Sequence, residues 1–261
     1  MGHSHSLCVF DSNAPAEDYW RPQIYNRMSH YISQGYAVVY IMEQNETATI
    51  RRLSAADFPV EDFVESGALT IISRDVFYSP SVTSGTLTEQ WNKIFASIER
   101  KRGKRNFMGY VGIGMPADSF FSTEMSQQRL VDYESVVAHN YDGSIEAMCC
   151  YTTELLDRMP LKYVFMLLNA HQNTSHRDGK LKPWNNERGI DIIRRGLDEA
   201  LGAYVSELVF RLLIVDFGMD KNAMIASPDR FENKLRILFG PSAAEIVLTK
   251  IKDELKKAIM Y

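Results

Sequence analysis

Over its first two thirds the chain alternates short β-branched runs with helical stretches, and this order constrains its fold more than any other feature. Residues 7–10, 37–41, 69–73, 107–113 and 145–151 each read as an apolar strand, and helical spacing fills the gaps between them. Parallel strands need a long crossover, so this rhythm predicts an α/β fold: a mostly parallel sheet flanked by helices.

Local signals place the helices. Asn13, Pro15 and the acidic Glu17-Asp18 open the first, Ile24, Met28 and Ile32 form its stripe, and Gly35 stops it. A second helix through Ile50 and Leu53 is cut by Pro59. Residues 75–85 are rich in Ser and carry Pro and Gly, which predicts a long exposed loop and a candidate lid. Trp91, Ile94, Phe95 and Ile98 make an apolar stripe that runs into a basic hexapeptide, 100–105, read as a solvated helix end. Further helices are predicted at 122–140 and 161–169.

Residues 172–186 are polar and turn-rich and read as a linker. Beyond them the chain is helical throughout, with four amphipathic segments carrying Ile192 to Leu197, Leu208 to Val215, Phe231 to Leu238 and Ile246 to Leu255. The predicted layout is therefore an α/β domain over 1–171, a linker over 172–186 and a small all-α bundle over 187–261.

Composition narrows the function classes. In 261 residues, 45% hydrophobic and 24% charged, disorder and small disulfide scaffolds are excluded. The net charge of −4 argues against a dedicated nucleic-acid binder, and the helical tail balances twelve basic against twelve acidic residues. No apolar run reaches the ~18 residues of a membrane span. Three cysteines, two of them adjacent, favour a reducing compartment, so the expected location is cytoplasmic.

The chemistry-bearing residues are few. No glycine-rich loop with a lysine opens a helix: Ser81 to Thr86 lacks the lysine, and the glycines between Gly109 and Gly114 sit within a strand, where tight packing explains them. His3, His5 and Cys8 are too few for a closed structural zinc site, and His139, His171 and His176 lack metal-ligand spacing, so no metal and no cofactor is expected. Cys149-Cys150-Tyr151 ends a strand, where ligands bind in open α/β sheets. Cys149 there is either a small buried hydrophobe, a soft ligand contact, a redox sensor, or a nucleophile served by His171 or Glu134.

In their order and spacing, His5-Ser-Leu-Cys-Val-Phe10, Gly35 to Ile41, Glu65 to Ile71, the loop ending near Tyr78, Leu130 to Glu134, Cys149-Cys-Tyr151 and Ala170-His171 resemble the MEDS sensory domain. The resemblance implies a RecA-like and KaiC-like fold without a phosphate loop, and puts the family's characteristic positions on His5, Glu134, Cys149, Tyr151 and His171. One departure is Gly112-Ile-Gly-Met115, where many members carry Gly-Glu-Met; the missing carboxylate removes the candidate base for residual hydrolysis. The tail resembles a helical output domain of archaeal signalling proteins, which implies an archaeal source.

Together these readings predict a non-enzymatic signal-transduction protein. It would sense a small molecule, a hydrocarbon derivative by the resemblance, in a degenerate RecA-like cleft. The helical tail would relay the state to a signalling partner or to a second copy in a homo-oligomer, without nucleic acid or membrane. The predicted lining is His5, Tyr40, Glu43, Tyr78, Met115, Glu134, Cys149, Tyr151 and His171. Weak adenine-nucleotide binding, a thiol enzyme using Cys149, and a ligand-free scaffold remain the alternatives.

Overall fold

Apolar side chains on both sides of five short strands require cover on both faces, and the structure supplies it with helices. The computed structural model describes residues 4–13, 20–42, 45–78, 84–101, 106–114, 121–139, 145–175 and 180–260. By its internal contacts the chain divides into two units, Met1–Leu155 and Leu156–Tyr261.

In the first unit the strands are β1 (Ser4–Phe10), β2 (Ala37–Met42), β3 (Leu69–Ser73), β4 (Tyr110–Gly114) and β5 (Ile145–Thr152). All neighbours pair in parallel, in the order β3-β2-β4-β5-β1. The helices are α1 (Trp20–Ser33), α2 (Glu46–Ala55), α3 (Val60–Glu65), α4 (Arg74–Phe77), α5 (Ser84–Lys101) and α6 (Glu124–His139). The unit boundary falls within α7 (Thr153–Arg158).

The period of two divides the strand residues between two cores. One face carries Cys8, Phe10, Val38, Tyr40, Val111, Ile113, Met148 and Cys150 against Ile24 and Met28 of α1, Leu53 of α2 and Val60 of α3. On the other, Ala37, Val39, Ile41 and Ala147 pack with Phe77 of α4 and Trp91 and Ile98 of α5.

Two expectations change here. Strand β4 starts at Tyr110 instead of 107, although Phe107 still packs against the second core. The stretch expected as an exposed loop from 75 is a helical turn at its start: Ser73 Oγ accepts from the Asp75 N–H at 3.2 Å, and Phe77 is buried. Residues 79–83 of that stretch lie outside the described residues, as do 102–105 of the basic run.

The second unit contains α8 (Leu161–Asn169), the strands β6 (Asn173–Ser175) and β7 (Leu181–Pro183), and α9 (Asn186–Leu201), α10 (Ala203–Val215), α11 (Lys221–Ala226), α12 (Pro228–Phe239) and α13 (Pro241–Met260). The turn-rich stretch 172–186 thus holds an antiparallel hairpin, with Thr174 opposite Lys182. It is pinned within its unit by Trp184, whose backbone N–H donates to the Gln172 carbonyl at 2.8 Å and whose indole N–H donates to Asn169 Oδ1 at 3.1 Å. The tail has five helices where four were expected, because short α11 is capped separately by Asp220.

Candidate functional site

Strand alternation sets the site. His5 lies beside Ala147 and Leu7 beside Cys149 in the β1–β5 ladder, and Gly114 lies beside Cys149 on the other side. His5, Cys149 and Tyr151 are therefore all on the face of Ala147, opposite Cys8 and Cys150.

Helix α6 brings the acid. Its start is fixed by a reciprocal cap, in which the Ser126 N–H donates to Thr123 Oγ1 at 3.2 Å and the Thr123 N–H donates to Ser126 Oγ at 3.0 Å. From there, helical spacing turns Gln127, Leu130, Val131 and Glu134 inward, and all four are buried.

Glu134 is fully buried, as is His5. Glu134 Oε2 stands 3.1 Å from His5 Nε2 and accepts from the Cys149 thiol at 3.1 Å, while the Tyr151 hydroxyl donates to Oε1. His5 Nε2 is also 3.3 Å from Cys149 Sγ. A buried carboxylate is costly unless donors surround it, and here three side chains converge on one. With Glu134 ionised, His5 carries its hydrogen on Nε2.

The same acid acts on its neighbours. Burial, then the charge of Glu134, push the Cys149 thiol well above its ordinary range. Burial and Glu134 do the same to the Tyr78 and Tyr151 phenols. All three stay protonated at neutral pH, and Cys149 and Tyr151 donate to Glu134. A nucleophilic cysteine needs the opposite shift.

Beside this cluster is a narrow aromatic cavity of about 20 Å³, lined by Ile41, Phe77, Tyr78, Trp91, Tyr133 and Cys149 with the backbone of Gly112 and Gly114. The rings pack edge to face: Phe77 is 5.1 Å from Trp91 and 5.8 Å from Tyr133. Both glycines are required by close approach, since a Cβ on Gly112 would stand 2.7 Å from Trp91 Cη2 and one on Gly114 3.0 Å from the Tyr78 hydroxyl. The tight-packing reading of these spaced glycines therefore holds.

Of the sequence-derived lining, the structure brings His5, Tyr78, Glu134, Cys149 and Tyr151 to one face. Tyr40 is a correction: full burial of β2 hides which of its side chains face where, and the alternation puts Tyr40 in the opposite core with Cys8 and Cys150. Glu43 and Met115 lie outside the described residues. His171 belongs to the second unit, where it is buried and its Nδ1 donates to the Leu167 carbonyl at 2.6 Å. Sequence reasoning missed Phe77 and Tyr133 as lining; they are 56 residues apart, and no local pattern joins them. A wider groove of about 410 Å³ in the second unit is bordered by Asp157, Arg236 and Lys252, and its lysine is engaged by the Asp157 and Met159 carbonyls.

Among the described residues no helix is long and apolar enough to cross a membrane. A family model described as MEDS, the methanogen/methylotroph, DcmR sensory domain, matches residues 4–172. Among curated proteins no match was found.

Proposed function

This chain belongs to the MEDS sensory-domain family, and from that premise we propose that it is a cytoplasmic regulatory protein whose first unit senses a small molecule at the Glu134 cluster and whose helical tail relays the state. The observation that carries the proposal is the junction of three polar side chains on one buried carboxylate with an aromatic cavity whose wall includes Cys149. Binding sites pair an apolar wall with a few converging polar groups, and this junction has both.

The cavity's size restricts the ligand. A space of about 20 Å³ holds one water-sized body, so the occupant is a compound of very few heavy atoms, or a larger one that moves Tyr78 or Trp91. The wall favours an apolar part, and the protonated Tyr78 hydroxyl on the lining favours a polar atom beside it. A one-carbon hydrocarbon derivative fits that description.

The proposal takes the sheet unit to be RecA-like in descent, with the phosphate grip lost. The sequence of residues 11–19 contains neither the glycines nor the lysine of a phosphate loop. For the relay, α10 supports a surface that meets a second copy of the chain. Tyr204, Leu208, Leu212 and Val215 are exposed at helical spacing, Tyr204 at 79% and Val215 at 68%.

The test is Trp91 fluorescence and calorimetry with methanol, methylamine and chloromethane as probes. Saturable binding that is lost in Glu134→Gln, with the circular dichroism spectrum unchanged, supports the reading. Absence of binding by all three, together with micromolar binding of ATP, replaces it with a nucleotide-binding role.

A further inference from the structure

We propose that His5, Glu134 and Cys149 form a binding site for a divalent transition-metal ion of the zinc class. The three donor atoms make a nearly equilateral triangle: Nε2 to Oε2 is 3.1 Å, Oε2 to Sγ is 3.1 Å, and Nε2 to Sγ is 3.3 Å. Around tetrahedral zinc, with bonds of about 2.0 Å to nitrogen and oxygen and about 2.3 Å to sulfur, the corresponding edges are about 3.3–3.5 Å. The observed edges are slightly shorter than these.

Donor chemistry selects the ion. Imidazole with thiolate and one carboxylate suits zinc or cobalt, and excludes magnesium and calcium, which require oxygen ligands. Charge also balances. A dication meets two anions, the Glu134 carboxylate and the Cys149 thiolate, so the buried site becomes neutral.

The step conserves protons: Cys149 releases its thiol proton to solvent as the sulfur–metal bond forms. His5 exchanges the hydrogen on Nε2 for one taken up at Nδ1, with no net change of charge, and ligates through Nε2 as the Nδ1–H tautomer. A four-coordinate ion takes one further donor beyond this triad.

Tyr151 is a positioning residue. Its hydroxyl holds Glu134 Oε1, which leaves Oε2 for the other two side chains. Partners of this kind typically contribute about 10–100-fold to metal affinity.

The site stands apart from the identity of the sensed molecule, and its test uses the ion alone. The chelator-treated protein is titrated with cobalt(II). The expected result is one equivalent bound, with tetrahedral d–d bands and a near-ultraviolet thiolate-to-cobalt charge-transfer band, both displaced by zinc. Cys149→Ser removes the charge-transfer band, Cys8→Ser keeps it, and His5→Gln weakens binding at least tenfold. Tyr151→Phe weakens it about 10–100-fold while keeping the spectrum. Circular dichroism verifies that each variant is folded, and His5→Gln and Tyr151→Phe carry the test if Cys149→Ser is not. Folded wild type that binds no cobalt, or a charge-transfer band that survives Cys149→Ser, overturns the proposal. Loss of organic-probe binding with cobalt binding intact would sink only the sensing proposal.

Discussion

Glu134 Oε2 accepts the Cys149 thiol proton at 3.1 Å, joining the middle of a helix to the carboxyl half of a central strand. The contact needs two periodicities to agree. Helical spacing turns Glu134 inward with Gln127, Leu130 and Val131, and strand alternation turns Cys149 toward the same layer. A single-residue slip in β5 would replace Cys149 with Met148 or Cys150, which belong to the other core.

The thiol's reactivity follows from this contact. Burial and the Glu134 charge raise the Cys149 pKa, so its thiolate fraction at neutral pH is below that of a free thiol. Iodoacetamide should therefore modify Cys149 in the folded, metal-free protein more slowly than it modifies free cysteine at pH ~7, with the modified position read by peptide mass spectrometry. A Cys149 that reacts faster than the free thiol would contradict the arrangement and revive a thiol enzyme.

Alkaline stability is linked to the same groups. Tyr78, Cys149, Cys150 and Tyr151 all have folded-state pKa values above their ordinary 9.0 or 10.0. Their protons are held more tightly in the folded state, so their contribution is constant below the unfolded pKa and is lost as pH rises past it. The melting temperature is expected to change little between pH ~7 and ~8.5 from these groups and to fall steadily above ~9. Stability that increases across the alkaline range would contradict the shifts.

How much of this was legible in the sequence depended on whether a segment carried its own local signal. Helix α8 was readable to the residue, Leu161 to Asn169, because Pro160 opens it and a dense apolar pattern fills it. The strands were readable as runs, but β2 is buried on both faces, so no polar residue marks which side is which, and Tyr40, named as lining, lies in the core opposite the cluster. Glu134 had no local signal at all. Its role depends on His5, 129 residues away; it was named beside Cys149 as a candidate base, and the family resemblance paired it with His5. The hairpin within 172–186 was hidden because its strands are three residues each, too short for alternation to show.

Gly114 provides a test of the cavity. A Cβ there would stand 3.0 Å from the Tyr78 hydroxyl, so Gly114→Ala pushes Tyr78 into the small space or away from it. Probe binding should weaken by at least tenfold, about 1.4 kcal/mol, with the far-ultraviolet spectrum retained. Unchanged calorimetric affinity would remove the cavity from the site.

Self-association should depend on α10. The stripe of Tyr204, Leu208, Leu212 and Val215 is exposed, and an apolar strip of this kind costs solvation unless a second surface covers it. Leu208→Glu, at a position 44% exposed, should leave the fold intact and shift the protein toward monomer in analytical ultracentrifugation. A wild type that is monomeric at high micromolar concentration would rule out this use of the helix.

A close helix approach in the second unit gives the sharpest stability prediction. Helices α9 and α13 meet at Gly196, where a Cβ would lie 2.4 Å from the Ile251 Cα and 2.7 Å from its backbone nitrogen. A flexible side chain could give way to such a methyl group, but backbone can yield only if the helices separate. Separation would uncover Ile193, Leu197, Ile251 and Leu255, all fully buried. Gly196→Ala gains helix propensity of up to about 1 kcal/mol, since glycine is a poor helix former. The overpacking cost of about 1–3 kcal/mol exceeds that gain in most of its range, so net destabilisation is expected. Urea unfolding followed by far-ultraviolet circular dichroism should give a lower midpoint for the variant with an unchanged slope. A raised midpoint would mean that propensity outweighs packing there, and that the two backbones are less tightly apposed than the structure places them.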